Sequence, residues 1–269
     1  MNLFQAFLLG LIQGLTEFIP VSSTAHLLIG QKVLGIPSGE GIFSFLVIVQ
    51  LGTLVSLFAF YWRDLFGIAK AMLDFRRATP ARDLGFYILI ATVPALLAGY
   101  LLKDLVEALF ANPLLEAGIR LLTASVLLAL AERLTSKDRS LNGMDWVDAL
   151  VIGLFQVIAI FPGASRSGAT ISGGMFRGLD RPSAARFAFL MSVPVLLAAG
   201  GYETLDLLTH NPGLNSLLLP LAVGFVAATI SGWFAIKWLL AYLSKHSLYV
   251  FALYCALLGA VCVAFQFIV

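Results

Sequence analysis

Apolar positions run along this chain in long blocks, several of which approach or exceed the roughly 18 residues that mark a membrane span. Six blocks are predicted to be transmembrane helices, approximately Gly41–Trp62, Leu84–Leu102, Leu114–Leu130, Ala184–Gly201, Leu214–Tyr242 and Leu248–Val269. Aromatic residues stand near several of their ends: Tyr61 and Trp62, Trp238 and Tyr242, and Tyr249. That is where amphipathic rings sit at a bilayer interface.

Two further apolar segments do not fit a simple span. Leu3–Ile19 carries Gln5, Gln13 and Glu17 and ends at Pro20; Trp146–Phe161 carries Asp148 and Gln156 and ends at Pro162. Each is only about 25 Å long as a helix, short for a hydrocarbon core of about 30 Å. Small polar residues follow at once, Val21-Ser22-Ser23-Thr24-Ala25-His26 in one case and Gly163-Ala164-Ser165-Arg166-Ser167-Gly168 in the other. Irregular backbone at membrane depth is tolerated where it is buried in protein or lines a wet cavity. Both segments are therefore expected to be re-entrant hairpins that enter the membrane, break at the proline and return.

The two segments resemble each other. Gly10-Leu11-Ile12-Gln13 matches Gly153-Leu154-Phe155-Gln156, and a proline and a serine-rich turn follow each. Three spans follow each hairpin, an odd number, so the second half is expected to be inverted relative to the first. Such inverted repeats with broken helices are a transporter plan. The expected fold is an all-α polytopic membrane protein, a single domain over residues 1–269 with repeat halves of about 1–140 and 141–269.

Composition agrees. Of 269 residues 60% are hydrophobic and 12% charged, with a mean hydropathy of +0.95; a soluble domain is about one quarter charged. That excludes a soluble bundle and a disordered chain. A net charge of +2 gives no reason to expect nucleic acid as a partner. Met1–Ile19 has no Lys or Arg before its apolar run, so it is not read as a cleaved signal peptide. Cys255 and Cys262 stand about two helical turns apart in the last block and read as packing residues; His210 and His246 read as solvated loop residues.

The cations are unevenly placed. Arg63, Lys70, Arg76, Arg77, Arg82, Arg133, Lys137, Arg139, Arg177, Arg181, Arg186 and Lys245 fall in one set of loops. The other set holds Lys32 and Lys103, with Arg120 just inside a span. The positive-inside rule puts the first set in the cytoplasm. Both termini and the first hairpin then face outward, and the second hairpin faces inward.

An ionisable residue at membrane depth is a functional hypothesis by default, and Glu17, His26 and Arg166 all fall in or beside the breaks. A structural Glu17–Arg166 salt bridge is the plain alternative. Ser165, Ser167 and Thr170 supply hydroxyls, Gly163 allows tight backbone, and a helix restarting near Ser165 would present an anion site at its N-terminus. Arg166 adds a planar fork suited to phosphate oxygens. The first break has the same grammar in Ser22, Ser23 and Thr24. Ser23 and His26 are three apart and share a helical face, which is the pairing expected to activate a serine nucleophile. Glu17 is expected to orient His26, act as a base, or hold a Mg²⁺ that bridges phosphates.

Gln13-x-x-x-Glu17, Pro20-Val21-Ser22-Ser23-Thr24-Ala25-His26 and Pro162-Gly163-Ala164-Ser165-Arg166-Ser167-Gly168-Ala169-Thr170 resemble the signature of the BacA/UppP-type undecaprenyl-diphosphate phosphatases. The similarity extends to Gln50-Leu51-Gly52 and to Thr170–Met175, and covers essentially the whole chain. It implies catalysis by Glu17, Ser23, His26 and Arg166, phosphate binding by Ser22, Thr24, Ser165, Ser167, Thr170 and Gly163, and a divalent cation, Mg²⁺ or Ca²⁺, at Glu17 and Gln13. The implied partners are a long-chain prenyl diphosphate and membrane lipids, with a homodimer as a candidate assembly. The implied setting is the bacterial inner membrane, where the activity would recycle a wall-polymer carrier lipid. Many members carry Glu where this chain has Gln13, and Gly where it has Ala25; with one carboxylate left, the metal is expected to lean on substrate oxygens. The competing reading is a lipid-phosphate transporter or flippase using the same anion site. It is distinguished by Ser23 with His26, because a carrier needs no nucleophile.

Overall fold

The computed structural model describes residues 1–37, 40–74, 78–102, 113–160, 165–210 and 218–266. Among them the chain forms α-helices joined by short connections, with no β-strand. In order these are α1 (Leu3–Phe18), α2 (Ser23–Val33), α3 (Glu40–Leu73), α4 (Pro80–Leu101), α5 (Pro113–Leu134), α6 (Trp146–Ile158), α7 (Arg166–Phe176), α8 (Arg181–His210), α9 (Leu218–Leu243) and α10 (Tyr249–Gln266). A single 3₁₀ turn, Leu141–Gly143, stands between α5 and α6.

Among the described residues six helices are long and apolar enough to cross a membrane: most of α3, all of α4 and α5, the first part of α8, α9 and α10. All six expected spans lie within these helices or overlap them. The limits differ where polar residues continue a helix beyond the apolar block. Thus α3 runs on to Leu73 through Arg63, Asp64 and Lys70, with a local departure from helical geometry at Tyr61 (φ −104°, ψ 17°). His210, expected in a loop, is the last residue of α8. Arg76, Arg77 and Lys103 lie outside the described residues.

The helix starts are specified locally. Asn2 caps α1 and exchanges bonds with Gln5, the Gln5 N–H donating to Asn2 Oδ1 at 2.8 Å and the Asn2 N–H to Gln5 Oε1 at 2.9 Å. Asp145 and Asp148 repeat this box at the start of α6. Thr79 caps α4, with Pro80 in the first turn, where its missing N–H has no intrahelical partner to lose.

Close backbone contact then sets the arrangement of the two short helices. Gly10 of α1 lies so near Gly224 of α9 that a Cβ would overlap the Gly224 carbonyl. Gly153 of α6 lies in the same way against the backbone of Ala91 in α4. In hydrocarbon, such small-residue contacts replace the hydrophobic drive that packs helices in water.

Charges gather at one set of helix ends and the loops between them. Asp148, fully buried, accepts from Arg139 Nη2 at 2.7 Å and Arg177 Nε at 2.6 Å. Glu132 pairs with Arg181 and Lys137, and its Oε2 also accepts the Leu248 N–H at 3.1 Å. Asp64 meets Arg186. These pairs tie together the ends of α3, α5, α6, α8 and α10. Cys255 and Cys262 are free and buried.

Candidate active site

Each short-helix pair is interrupted by a break, and the two breaks meet. α1 ends at Phe18, whose ring stands edge-on to Phe189 of α8 with centroids 5.4 Å apart, fixing where the chain leaves the helix. α2 begins after Ser22, its N-cap, which is held at φ 67° and ψ 93°. A left-handed serine is strained. The turn is held by the Ser22 N–H donating to Ser165 Oγ at 3.2 Å and by Ser167 Oγ donating to the Ile19 carbonyl at 3.4 Å. Ser165 is itself the N-cap of α7, at an ordinary extended φ of −68°. Two helix N-termini, 143 residues apart in sequence, are thus stitched cap to cap.

Residues of both first turns line one small cavity, and converging helix N-termini are the general recipe for an anion site. It has a volume of about 140 Å³ and is lined by Glu17, Ser22, Ser23, Thr24, Ser165, Arg166 and Ser167, with Gln50, Arg120 and Ala159 completing the wall. At about 30 Å³ per water that is room for a few waters or a polar head group, not for a long hydrocarbon chain.

Glu17 is the hub. Its Oε1 takes an ion pair from Arg166 Nη2. Its Oε2 accepts from Gln13 Nε2 at 2.9 Å and from Ser23 Oγ at 2.6 Å. The expected pairing of Ser23 with His26 is therefore corrected: the hydroxyl is aimed at the carboxylate. The reason is the helix itself. His26 lies one turn into α2, and its Nδ1–H donates back to the Ser22 carbonyl at 2.8 Å. Its Nε2 meets the Tyr254 hydroxyl of α10 at 2.7 Å, the two rings stacked 11° from parallel. With Nδ1 carrying the proton, a neutral ring accepts from the tyrosine.

The other expected residues divide. Glu17, Ser22, Ser23, Thr24, Ser165, Arg166 and Ser167 come together at the cavity. Thr170 is buried one turn further along α7, and its hydroxyl donates to the Arg166 carbonyl at 2.8 Å; it braces the helix rather than lining the cavity. Gly163 lies outside the described residues. Gln50, Arg120 and Tyr254 were not assigned roles by sequence reasoning. Arg120 carried a signal, being ionisable inside an apolar block; Gln50 carried one only through the family resemblance of Gln50-Leu51-Gly52, and Tyr254 carried none beyond polarity.

A divalent cation fits this donor set only in company. No trio of His, Cys, Asp or Glu among the described residues is placed to hold a metal. The buried Gln13 Oε1 has no hydrogen-bond partner and belongs to the same side chain that reaches Glu17. One carboxylate and one amide oxygen suit Mg²⁺, which keeps waters and is completed by substrate phosphate.

Comparison with known proteins identifies the family. The family model described as "Bacitracin resistance protein BacA" matches residues 6–261. An undecaprenyl-diphosphatase of Rubrobacter xylanophilus is 41% identical over 98% of both chains, and one of Alkaliphilus metalliredigens is 39% identical over 99% of both. A third, from Anaeromyxobacter dehalogenans, is 42% identical over 97% of this chain and 90% of its own. With its six apolar helices and a family match spanning nearly its full length, this multi-pass membrane protein belongs to the BacA family.

Proposed function

We propose that this chain is an integral membrane phosphatase that hydrolyses undecaprenyl diphosphate to undecaprenyl phosphate and inorganic phosphate, returning the carrier lipid for cell-wall polymer synthesis. The observation that carries this reading is Ser23 Oγ at 2.6 Å from Glu17 Oε2, beside Arg166 and two convergent helix N-termini. A hydroxyl on a carboxylate base, next to an anion site, is what phosphoryl transfer needs. The full-length relatives named undecaprenyl-diphosphatase supply the substrate.

In this mechanism the terminal phosphate enters the cavity and draws Arg166 from Glu17. The guanidinium fork and the N–H groups of α2 and α7 then hold the equatorial oxygens, where charge must be stabilised. Ser23 Oγ attacks phosphorus as Glu17 takes its proton. The bond to the lipid-side phosphate breaks, and that proton leaves with the prenyl phosphate. A water then gives a proton to Glu17 and displaces Ser23 from phosphorus, the proton returning to Ser23 Oγ. Ser22, Thr24, Ser165 and Ser167 bind phosphate oxygens. His26 holds the strained Ser22 carbonyl and so positions the break.

Mg²⁺ would be held by Glu17, Gln13 Oε1 and phosphate oxygens, and when bound would neutralise charge on the diphosphate. The small cavity takes the head group, leaving the tail in lipid. The two breaks are re-entrant, the halves form an inverted repeat, and the site opens outward with both termini outside. The cation asymmetry between loops supports that orientation. Cysteines placed at Ser38 and Ala78 test it in intact cells: an impermeant reagent is expected to label the first and spare the second, and the reverse overturns the topology. The activity itself is tested by phosphate release from a long-chain prenyl diphosphate in detergent, with Mg²⁺ and with chelator. No release under either condition refutes it.

A further inference from the structure

Arg120 is the second arginine of the cavity and the one with no assigned role. It is buried in the first half of α5, seven residues after Pro113 and twelve before Glu132 of the charged end cluster, the latter about 18 Å along a helix. Its Nε donates to Glu116 Oε1 at 2.8 Å, one turn back on the same helix, and both side chains are buried. An Arg and a Glu inside an apolar span are each unfavourable on insertion scales. The neighbours Leu121, Ala124 and Leu128 belong to the buried apolar core, so the pair stands out as charge in an otherwise apolar setting.

The pair lies where the cavity is. Arg120 lines it together with Arg166, Ser22, Ser23, Ser165 and Gln50. Two arginines from two elements therefore line the cavity. Each forms an ion pair with a glutamate, Arg166 with Glu17 and Arg120 with Glu116. A single phosphate needs one guanidinium fork; a diphosphate presents two groups, each matched by a planar pair of donors. Resting on the phosphatase reading, we propose that Arg120 binds the lipid-side phosphate, the one retained in the product, while Arg166 binds the terminal phosphate that is transferred. Glu116 is a positioning residue. It keeps Arg120 aimed across the cavity between turnovers and gives way when the diphosphate arrives.

This assigns the preference for a diphosphate over a monophosphate to α5. Binding is measured without turnover, as the shift in unfolding temperature of the detergent-solubilised protein at fixed Mg²⁺, using methylenediphosphonate and orthophosphate as probes. The wild type is expected to bind the bisphosphonate at least tenfold more tightly than orthophosphate. Arg120→Met with Glu116→Leu removes both charges and leaves no unpaired ion in the span. It is expected to bring the two affinities within threefold, to leave orthophosphate binding unchanged, and to raise KM for the prenyl diphosphate at least tenfold with kcat changed far less. Arg120→Lys, which keeps the charge and loses the fork, is expected to narrow the gap partly, and it decides the matter where the double variant fails to fold. Glu116→Gln is expected to tighten bisphosphonate binding, which a merely structural pair would not do. A gap preserved in the double variant or in Arg120→Lys overturns the assignment. If the wild type shows the gap but releases no phosphate from prenyl diphosphate, the phosphatase reading fails and the two-arginine diphosphate site stands.

Discussion

The two helix–break–helix units, α1–α2 and α6–α7, share a scaffold and differ in chemistry. Each first helix presses a glycine against a neighbouring backbone, Gly10 on α9 and Gly153 on α4. Each second helix starts at a serine cap, Ser22 and Ser165. Three residues after the glycine comes a buried glutamine in both, Gln13 at 3% exposure and Gln156 at 2%. There the likeness ends. Gln13 reaches Glu17 four residues on, whereas the residue four after Gln156 is Ile160, and both amide atoms of Gln156 lack partners. The first unit supplies the carboxylate, the hydroxyl and the strained cap; the second supplies the cation and an unstrained cap. A repeated frame does not imply a repeated site: one composite site is assembled because the two units carry opposite charges to the same point.

The largest expected effect comes from breaking the shared charge pair. Arg166→Ala and Glu17→Gln should each lower single-turnover phosphate release by a factor of about 10³ or more, as loss of a transition-state donor does. Arg166→Lys should also fail badly, because a point charge does not replace a fork. Near-normal turnover in the Lys variant would remove the phosphate-clamp role. Ser23→Ala should fall comparably. Glu17→Gln with Ser23→Ala should lose little more than either alone, as members of one catalytic unit do. If Ser23→Ala stays within tenfold of wild type, about 1.4 kcal/mol of barrier, water activated by Glu17 is the nucleophile instead.

A smaller effect is expected at His26, which supports the first break from behind. Tyr254→Phe and His26→Ala should reduce kcat about ten- to a hundredfold with KM nearly unchanged, and the double variant should match His26→Ala. An additive loss in that double-mutant cycle would mean that the ring and the phenol act separately.

The packing contacts should respond in parallel. Gly10→Ala and Gly153→Ala each force a methyl into a neighbouring backbone, and overpacking of this kind destabilises by about 1–3 kcal/mol. Both should lower the unfolding temperature in detergent. An effect in one unit only would show that the glycines are not equivalent.

The smallest and most asymmetric effect concerns the glutamines. Gln156→Leu removes a buried amide that has no partner and should be neutral or stabilising by up to about 1 kcal/mol. Gln13→Leu removes a donor to Glu17 and should reduce activity. Gln13→Glu should strengthen the apparent Mg²⁺ affinity, and an unchanged Mg²⁺ dependence would place position 13 away from the metal.

Much of this molecule was legible before any coordinates. The six spans are visible because hydrocarbon admits few charges, so membrane helices announce themselves as apolar blocks. The break after α1 is legible at Pro20, where a residue without an N–H precedes serines that favour a cap over a helix interior, and the caps at Ser22 and Ser165 follow from the same local hydrogen-bond chemistry. The ionisable residues near them, Glu17 and Arg166, stand out because charge at that depth needs a partner. All of these are properties of consecutive residues in a known solvent. What partners what was decided only in three dimensions. Spacing along α2 favoured Ser23 with His26, yet Ser23 turns to Glu17 while His26 is held by Tyr254, 228 residues away. Arg120 and Gln50 entered the cavity wall from α5 and α3, and Thr170 left it. Periodicity states which face of a helix a residue occupies, but only helix packing states what that face meets. In this protein a cap-to-cap contact between residues 143 positions apart turns two ordinary helix starts into one site.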